Sequence, residues 1–525
     1  MKNKLLLLCA LSTAVTLSSC KKAEVSVSIV PNPVSIEAAG RGAKLQEVPV
    51  FDCESMELQI LGQTFVEVAN GVKVPNISLA IDNTLEAEEY ILDSHKGKVV
   101  IKGGSQAGVW WGLQTLLQIC YQTDGKTFPG LIIKDKPAFA YRGAHLDCGR
   151  HFFSIEEVKR FIDLVNMHKI NIFHWHLTED QGWRAEIKKF PKLTEIGSVR
   201  AETVVGHAGD SHTYDGTPYG GYYTQEQMKE IVSYAAARQM TVIPEIEIPG
   251  HASAALAAYP ELGCRGKGYK VQTTWGVFDE VFCIGNPGTV QLFKDVLDEI
   301  CEIFPSEYIH IGGDEAPRNE WKKCPKCQAL MKKMGYTSEA QLQSHIVNEI
   351  EQYLNQKGRK IIGWDEILEG GVSQSACVMS WRGTDGGIAA AKLGNDVIMA
   401  PNSYFYLDYY QTSDPKANGE PFCIGGNLPL SKSYQFQPFA GLTDEQKGHI
   451  KGIQANVWTE YMADFDHVEF NALPRFAALA EISWSNDNRT DYETFVERTR
   501  RSLLPVYDAR GYHYAPYAFQ NPPVE

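Results

Sequence analysis

Two acidic residues, Asp314 and Glu315, stand side by side at the end of the run His310-Ile-Gly-Gly. A carboxylic acid can give a proton to a leaving group or take one from water, and a neighbouring carboxylate can stabilise positive charge that develops in a transition state. Burial and the negative charge of Asp314 should both raise the pKa of Glu315 toward neutrality. The pair therefore predicts acid–base catalysis at this point of the chain.

Other polar and aromatic residues follow further short apolar runs of the sequence. Pyranose rings have apolar faces that pack on indoles, and their hydroxyl groups bind carboxylates and arginine. This inventory of Trp, Arg, His and acidic side chains favours a pocket for a sugar. The residues expected to form it are Arg150, His176, Glu179, Glu245, Glu247, His251, Trp364, Trp381, Trp458 and Glu460.

Metal chemistry and cofactor chemistry are less well supported. The run His174-Trp175-His176 is similar to the HxH of metal-dependent amidohydrolase barrels, but those barrels carry it on their first strand and add later His and Asp ligands. The motifs HExxH and GxSxG and a Gly-rich phosphate loop do not occur in the sequence. We therefore expect no catalytic metal and no cofactor.

The cysteines point to local pairing. Cys264 and Cys283 flank a Gly-rich stretch, and in an oxidising compartment they are predicted to form a disulfide. Cys324 and Cys327 form a lone CxxC for which the sequence shows no second pair that would complete a zinc site. A local disulfide or free thiols are both open for this pair, and either is favoured over zinc.

Eight short apolar runs after Pro137 alternate with mostly helical patterns. Ser154 and Glu157 form a capping box before one of these helical patterns. The alternation predicts an α/β fold, a (β/α)₈ TIM barrel, in which chemistry gathers beyond the carboxyl ends of the strands. The residues of the expected pocket all fall at such ends. The predicted strands are 142–147, 171–176, 241–245, 308–312, 361–364, 377–381, 396–400 and 452–457.

The barrel pattern has neighbours on both sides. Residues 20–136 mix β-like runs, including 25–30, 77–81, 90–92 and 98–102, with one amphipathic helix at about 105–121. They predict a small supporting α+β domain. The barrel is expected over 137–515, with Gly-rich insertions at 206–221 and 263–276, and a short tail over 516–525.

The first residues are expected to be an export signal. Residues 1–19 combine Lys2 and Lys4 with a short apolar stretch, and Leu17-Ser18-Ser19-Cys20 resembles the bacterial lipobox. The resemblance implies a lipoprotein signal peptide, lipidation of Cys20, and anchoring to the cell envelope on the periplasmic face or at the cell surface. A signal peptide with an incidental cysteine is the alternative. The net charge of −14 argues against nucleic acid as a partner.

Five motifs are similar to those of glycoside hydrolase family 20, the β-N-acetylhexosaminidases. The similarity extends over roughly residues 25–510, and the family also has a small α/β domain before its barrel. The His-x-Gly-Gly-Asp-Glu box within a barrel pattern is the most specific of the five. The motifs are Tyr141-Arg-Gly-Ala-His-Leu-Asp147, Gly149-Arg-His-Phe152, His174-Trp-His-Leu-Thr-Glu-Asp-Gln-Gly-Trp-Arg184, Pro244-Glu-Ile-Glu-Ile-Pro-Gly-His251 and His310-Ile-Gly-Gly-Asp-Glu315.

The resemblance implies a mechanism that suits adjacent carboxylates. Most retaining glycosidases hold two carboxyl groups about 5–5.5 Å apart on either side of the scissile bond, which sequence neighbours do not simply reproduce. In family 20 the 2-acetamido oxygen of the substrate attacks C1 and forms an oxazolinium intermediate. By resemblance, Glu315 is the general acid and base, and Asp314 orients the acetamide and stabilises the charge on its nitrogen.

The resemblance also implies roles for residues around this pair. Arg150 would bind the C3 and C4 hydroxyls of the sugar. Glu179 stands where the family usually has an Asp that contacts this Arg, and Glu247 stands where an Asp often supports His251. His251 would lie near the general acid, and His176 would be a similar supporting residue.

A second implied set encloses the sugar. Indoles would cover its apolar face and the acetamide, a tyrosine hydroxyl would bind the acetamide carbonyl, and two carboxylates would take the C4 and C6 hydroxyls. In that order these residues are Trp364, Trp381 and Trp458, then Tyr406, then Asp408 and Glu460.

The function implied is exo-acting hydrolysis, with retention, of terminal non-reducing β-linked GlcNAc or GalNAc on glycans. Within the same family, a lacto-N-biosidase-like or sulfated-GlcNAc-specific enzyme is the alternative, with specificity set by the insertions. A carbohydrate-binding lipoprotein is the alternative without catalysis. Such a binder has no use for an acid at Glu315, so the intact acidic pair favours an enzyme.

Overall fold

The computed structural model describes residues 27–520 and 523–524, which form an N-terminal α/β domain and a closed barrel. The predictions for the signal peptide, residues 1–19, and for lipidation of Cys20 lie outside the described residues. Within the part of the chain that is described, no helix has both the length and the apolar character needed to cross a bilayer.

A six-stranded mixed sheet is the centre of the N-terminal domain. The helix Gln106–Cys120 was predicted from its periodicity, and it packs on the sheet together with Met56–Ala69. Two polar N-caps, Ser55 and Ser105, begin these helices. In spatial order the strands are Ser35–Ala38, Leu131–Asp135, Tyr90–Ser94, Val99–Gly103, Ile77–Ile81 and Phe51–Cys53, beside a small sheet of Val74–Pro75, Ala43–Gln46 and Thr127–Phe128.

The strand predicted at 25–30 does not form in its described part, 27–30. The side chain of Gln118 accepts a hydrogen bond from Val30 N (3.1 Å) and donates one to Val30 O (2.6 Å). Gln122 does the same for Ser28, at 2.9 and 2.7 Å. Two amide side chains, one in the helix Gln106–Cys120 and one just after it, thus satisfy the backbone groups that a neighbouring strand would otherwise pair.

Arg142 joins the two domains. Its guanidinium is buried, forms an ion pair with Glu88 of the N-terminal domain and donates to Lys169 O at 2.8 Å. It also lies over the rings of Trp111 and Trp484, at 5.5 and 5.0 Å from their centroids. Because the two indoles come from different domains and bury one cation between them, the interface is fixed in both distance and orientation.

The eight predicted barrel strands are confirmed, and we number them β1–β8. They are parallel and pair in chain order, and β8 closes the barrel against β1. Their bounds differ from the predicted ones by at most two residues. They are β1 (Tyr141–Asp147), β2 (Ile172–His176), β3 (Thr241–Glu245), β4 (Tyr308–His310), β5 (Lys360–Trp364), β6 (Cys377–Ser380), β7 (Val397–Met399) and β8 (Ile450–Val457).

Helices surround the barrel, and the predicted capping box is present. At the start of Ile155–Asn166, the Ser154 hydroxyl accepts from the Glu157 amide, and the Glu157 carboxylate accepts from the Ser154 amide. After β5 a 3₁₀ segment, Asp365–Gly370, takes the place of an α-helix. The other helices are Lys192–Glu195, Gln225–Ala236, Ser253–Ala258, Pro287–Ile303, Asn319–Lys323, Pro325–Met334, Ala340–Gln356, Asp385–Leu393, Asn402–Phe405, Leu430–Tyr434, Asp444–Lys447, Phe465–Ala472, Arg475–Ala480, Tyr492–Ser502 and Leu504–Arg510.

The disulfide predicted between Cys264 and Cys283 is absent, and both residues are free. The loop after β3 folds onto the segment after β4, which brings Cys324 and Cys327 against them. The Sγ of Cys283 lies 3.6 Å from that of Cys324 and 3.7 Å from that of Cys327. The expectation that Cys324 and Cys327 lack a second pair is therefore wrong, because the second pair comes from a loop far away in sequence.

Candidate active site

A cavity of about 380 Å³ opens at the carboxyl ends of the barrel strands. Its position follows from the parallel barrel, since the segments that leave the strands all emerge at this rim. Eight of the predicted site residues line it: Arg150, Asp314, Glu315, Trp381, Tyr406, Asp408, Trp458 and Glu460.

The turn after β4 presents the acidic pair to the cavity. Gly312 has φ of 62°, and a Cβ on it would lie 1.8 Å from a carboxylate oxygen of Glu247, so only glycine fits. Glu315 itself has φ of 46°, a left-handed conformation that is uncommon for a residue with a side chain. Strained backbone of this kind concentrates at active sites, where the surrounding structure holds it in place.

The electrostatic setting of the pair fits a proton donor beside a charge stabiliser. Burial and the charge of Asp314 raise the pKa of Glu315, in the direction expected from the sequence. The Asp314 side chain is 11% exposed, and its Oδ2 lies 3.4 Å from His251 Nε2. Its Oδ1 is buried and has no hydrogen-bond partner among the described residues.

A series of ion pairs through His251 and Glu179 connects the acidic pair to Arg150. Glu179 Oε1 lies 2.6 Å from His251 Nδ1, and Glu179 Oε2 lies 3.0 Å from Arg150 Nη2. Burial acts to lower the pKa of His251, but Glu179 and Asp314 hold it well above its usual range. His251 is therefore cationic, beside Asp314. Glu179 contacts Arg150, as the resemblance implies.

The expected partnership of Glu247 with His251 is wrong. The carboxylate oxygens of Glu247 have no hydrogen-bond partner among the described residues, and burial and the charge of Asp314 raise the pKa of Glu247 well above its usual range. The second carboxylate on His251 is instead Asp180, at 3.1 Å, which also accepts from Ser253 N at 2.8 Å. Sequence reasoning missed Asp180, although it lies within a quoted motif directly after Glu179.

Arg150 lines the cavity and forms ion pairs with three acidic residues. Its guanidinium is 9% exposed and lies 3.3 Å from Asp147, 3.0 Å from Glu179 and 3.9 Å from Glu460. It also lies 5.0 Å from the ring centroid of Trp458. An arginine held from several sides presents its remaining N–H groups in a fixed direction, which suits adjacent hydroxyl groups of a ligand.

Two of the three expected indoles form the cavity wall. Trp381 stacks on Tyr406 with ring centroids 5.8 Å apart, and Trp458 lies 6.1 Å from Tyr406. Trp364 is not among the lining residues. It is 1% exposed, lies 5.9 Å from Trp458 and donates to Glu245 Oε1 at 2.8 Å, so it supports the wall from behind.

Asp408 and Glu460 also line the cavity. Burial and the neighbouring Glu460 raise the pKa of Asp408 well above its usual range, and burial raises that of Glu460. Oδ1 of Asp408 has no partner within the described residues. Carboxyl groups that favour the neutral form are poor nucleophiles but good hydrogen-bonding partners for hydroxyl groups.

His176 belongs to a buried polar layer under the site. Its Nδ1 lies 2.5 Å from Glu245 Oε2, and its Nε2 lies 3.1 Å from Glu179 Oε2. Glu245 also lies 2.9 Å from His310 Nδ1 and 3.0 Å from His174 Nε2. This layer contacts Glu179 through His176, which therefore lies where the resemblance implies a supporting residue.

Further residues at the cavity were not singled out from the sequence. Glu366, at the start of the 3₁₀ segment after β5, does not line the cavity but accepts from Nε1 of the lining residue Trp381 at 2.9 Å. Trp275 comes from the insertion at 263–276, whose glycine and aromatic content was noted without a role. Tyr461 and His207 stack at 5.6 Å and line the opening. Their contribution depends on loops that meet only in the folded chain.

Comparison with known proteins gives consistent matches. The family model described as glycosyl hydrolase family 20, catalytic domain, matches residues 139–487, and the model for domain 2 of that family matches residues 26–136. A beta-hexosaminidase of Porphyromonas gingivalis is 40% identical over 96% of this chain and 67% of its own length. One of Vibrio furnissii is 36% identical over 87% and 76%. The structure of the family 20 exo-β-N-acetylglucosaminidase of Vibrio harveyi with N-acetylglucosamine has a TM-score of 0.83 at 31% identity, covering 94% of this chain and 80% of that one.

Proposed function

The chain belongs to glycosyl hydrolase family 20, and we propose that it is an exo-acting β-N-acetylhexosaminidase that removes terminal non-reducing β-linked GlcNAc or GalNAc with retention. The observation that carries this function is the pair Asp314–Glu315, presented to an aromatic cavity that ends at Arg150. One residue can protonate the leaving group while its neighbour stabilises charge, and the arginine holds the sugar's hydroxyl groups.

The first chemical step is protonation of the leaving oxygen by Glu315. Because burial and the Asp314 charge raise its pKa, Glu315 holds its proton to higher pH than a solvated glutamic acid does. The glycosidic bond breaks as the proton is transferred, and C1 of the sugar becomes electron-poor.

The nucleophile at C1 belongs to the substrate. Asp408 and Glu460 are the other acids that line the cavity, and both are held toward the neutral form by burial. Asp314 lines the cavity beside Glu315, and its carboxylate accepts the acetamide N–H, which turns the acetamide oxygen toward C1. The oxygen attacks, an oxazolinium ion forms, and the Asp314 carboxylate stabilises its positive charge.

Water completes the reaction. Glu315, now a carboxylate, removes a proton from a water molecule that attacks C1 and opens the oxazolinium ring. Two inversions at C1 give net retention. Arg150 binds adjacent hydroxyls, and Asp408 and Glu460 bind further hydroxyls of the sugar, so the ring stays in one place through both displacements.

Hydrolysis of matched aryl glycosides tests this function. We expect turnover of 4-nitrophenyl N-acetyl-β-glucosaminide and almost none of the corresponding β-glucoside, whose 2-hydroxyl cannot act as the internal nucleophile. A thiazoline analogue of the intermediate should inhibit far more strongly than GlcNAc. Comparable turnover of both glycosides, or a trapped glycosyl ester on an acidic residue, would refute the mechanism, and binding without turnover would indicate a carbohydrate-binding protein.

For cellular location, we propose that the chain is exported and anchored to the cell envelope by lipid on Cys20. The support is the basic, apolar sequence of residues 1–19 and its lipobox-like end. Incorporation of labelled fatty acid by the wild type and its loss in Cys20→Ser is the expected result. Equal recovery of both forms in the soluble fraction would reject the anchor.

A further inference from the structure

Four cysteine sulfurs meet outside the active site, where the loop after β3 touches the segment after β4. Within that loop, Cys264 and Cys283 are at the two ends of the stretch 264–283, and Cys324 and Cys327 lie at the start of the helix Pro325–Met334. All four Sγ atoms lie within 4.8 Å of one another. Three of the residues are fully or almost fully buried and Cys264 is half-buried.

The distances between the sulfurs distinguish a metal site from disulfides. The measured Sγ···Sγ separations are 3.6 Å (Cys283–Cys324), 3.7 Å (Cys283–Cys327) and 3.9 Å (Cys264–Cys327). A disulfide needs about 2.05 Å between its sulfurs. A tetrahedral Zn²⁺ ion with Zn–S bonds of about 2.3 Å has S···S edges of about 3.8 Å, and the three measured distances bracket that value.

The backbone around the sulfurs is shaped for this cluster. Gly285 lies so close to the Lys326–Cys327 backbone that a Cβ on it would meet Lys326 C at 2.2 Å and Cys327 N at 2.4 Å. Only glycine allows this approach, which sets Cys283 and Cys327 side by side. A cavity of about 260 Å³ reaches Cys264 and Cys324, so an ion has a path to the cluster.

We propose that Cys264, Cys283, Cys324 and Cys327 bind one structural Zn²⁺ ion as four thiolates. Thiolate ligands in tetrahedral geometry select zinc or iron among the common metals, and four protein ligands leave no open position for catalysis. On binding, each thiol that carries a proton loses it to solvent, and no electron transfer is needed.

The ion would fix part of the cavity wall. Trp275 and Val277 lie on the loop between Cys264 and Cys283 and line the active-site cavity. The same loop is tied to the site through Phe282 N, which donates to Pro249 O at 3.2 Å, beside His251. Zinc therefore holds both ends of the stretch 264–283, whose middle lines the cavity, and joins it to the segment that follows Glu315.

Metal analysis of the purified full chain tests the proposal directly. We expect about one zinc per chain, in a colourless protein, that is released when a mercurial reagent titrates the thiols. Cobalt-grown protein should show the thiolate-to-cobalt absorption of a four-sulfur site. Two disulfides found by unreduced peptide mapping, or iron in place of zinc, would overturn the proposal.

Substitutions separate the role of the cluster from that of cysteine in general. Cys324→Ser and Cys283→Ser should lose the zinc and raise KM for chitobiose roughly tenfold, with a smaller change in kcat. Cys301→Ser, a half-buried cysteine outside the cluster, is the matched control and should keep both zinc and KM. If the ligand variants do not fold, the zinc content and cobalt spectrum of the wild type still decide. Wild-type protein with full activity and no metal would refute the site.

Discussion

Replacing Asp314 by Asn tests the central step because it removes one charge at almost constant size. In the wild type, the Asp314 carboxylate lines the cavity, and its Oδ2 lies 3.4 Å from His251 Nε2. An Asn at this position keeps the size of the side chain but has no negative charge to stabilise the oxazolinium ion. A single preorganised group of this kind contributes about 2.7–4 kcal/mol to the transition state, or about 10²–10³ in kcat.

The same substitution should shift the pH profile. Burial and the charge of Asp314 raise the pKa of Glu315, while the nearby His251 and Arg150 lower it. Without the Asp314 charge, one raising cause is lost and the two lowering causes remain, so the pKa of Glu315 falls. Activity at high pH requires Glu315 to hold its proton, and the alkaline limb of kcat/KM should therefore move to lower pH.

Both effects can be measured with chitobiose across a pH series, because its sugar leaving group needs protonation by Glu315. Asp444→Asn is the matched control, since this exposed residue at the start of Asp444–Lys447 lies outside the cavity lining. It should leave kcat and the pH profile unchanged. A loss in Asp314→Asn below about tenfold, where 10²–10³ is expected, would show that Asp314 does not stabilise the intermediate. An unmoved alkaline limb would show that Glu315 is not the acid.

Three further outcomes are expected. Glu315→Gln should lower kcat about 10²–10⁴-fold for chitobiose and much less for an activated aryl glycoside, which needs little protonation; equal losses would exclude Glu315 as the acid. Arg150→Lys should raise KM for GlcNAc glycosides at a retained fold, because an ammonium cannot bind adjacent hydroxyls in the same way, and unchanged kinetics would refute the clamp. Arg142→Ala should lower the free energy of unfolding by about 3 kcal/mol in urea denaturation, because it leaves Glu88 with fewer partners. As the control, replacing the exposed Lys44 by Ala should change this free energy little.

The barrel strands, and the position of the acidic pair at their carboxyl ends, can largely be predicted from the sequence. Each strand is a short apolar run with its own boundaries, and the helices between several strands begin with local signals such as the Ser154 cap. These patterns depend on neighbours within a few residues, so they survive without knowledge of the fold. The position of Glu315 after a strand end follows in the same way, because parallel strands bring all such ends to one rim.

Only the tertiary structure decides which side chains touch across that rim. His251 meets Asp180 and not Glu247, and Trp364 lies behind the cavity wall, because these contacts depend on how loops from different strands turn. Nothing in the spacing of the cysteines reveals their cluster, since the loop after β3 and the segment after β4 supply two each. Sequence patterns report periodicity along one element, whereas such contacts are set by side-chain packing between distant elements, which becomes defined only when the chain has folded.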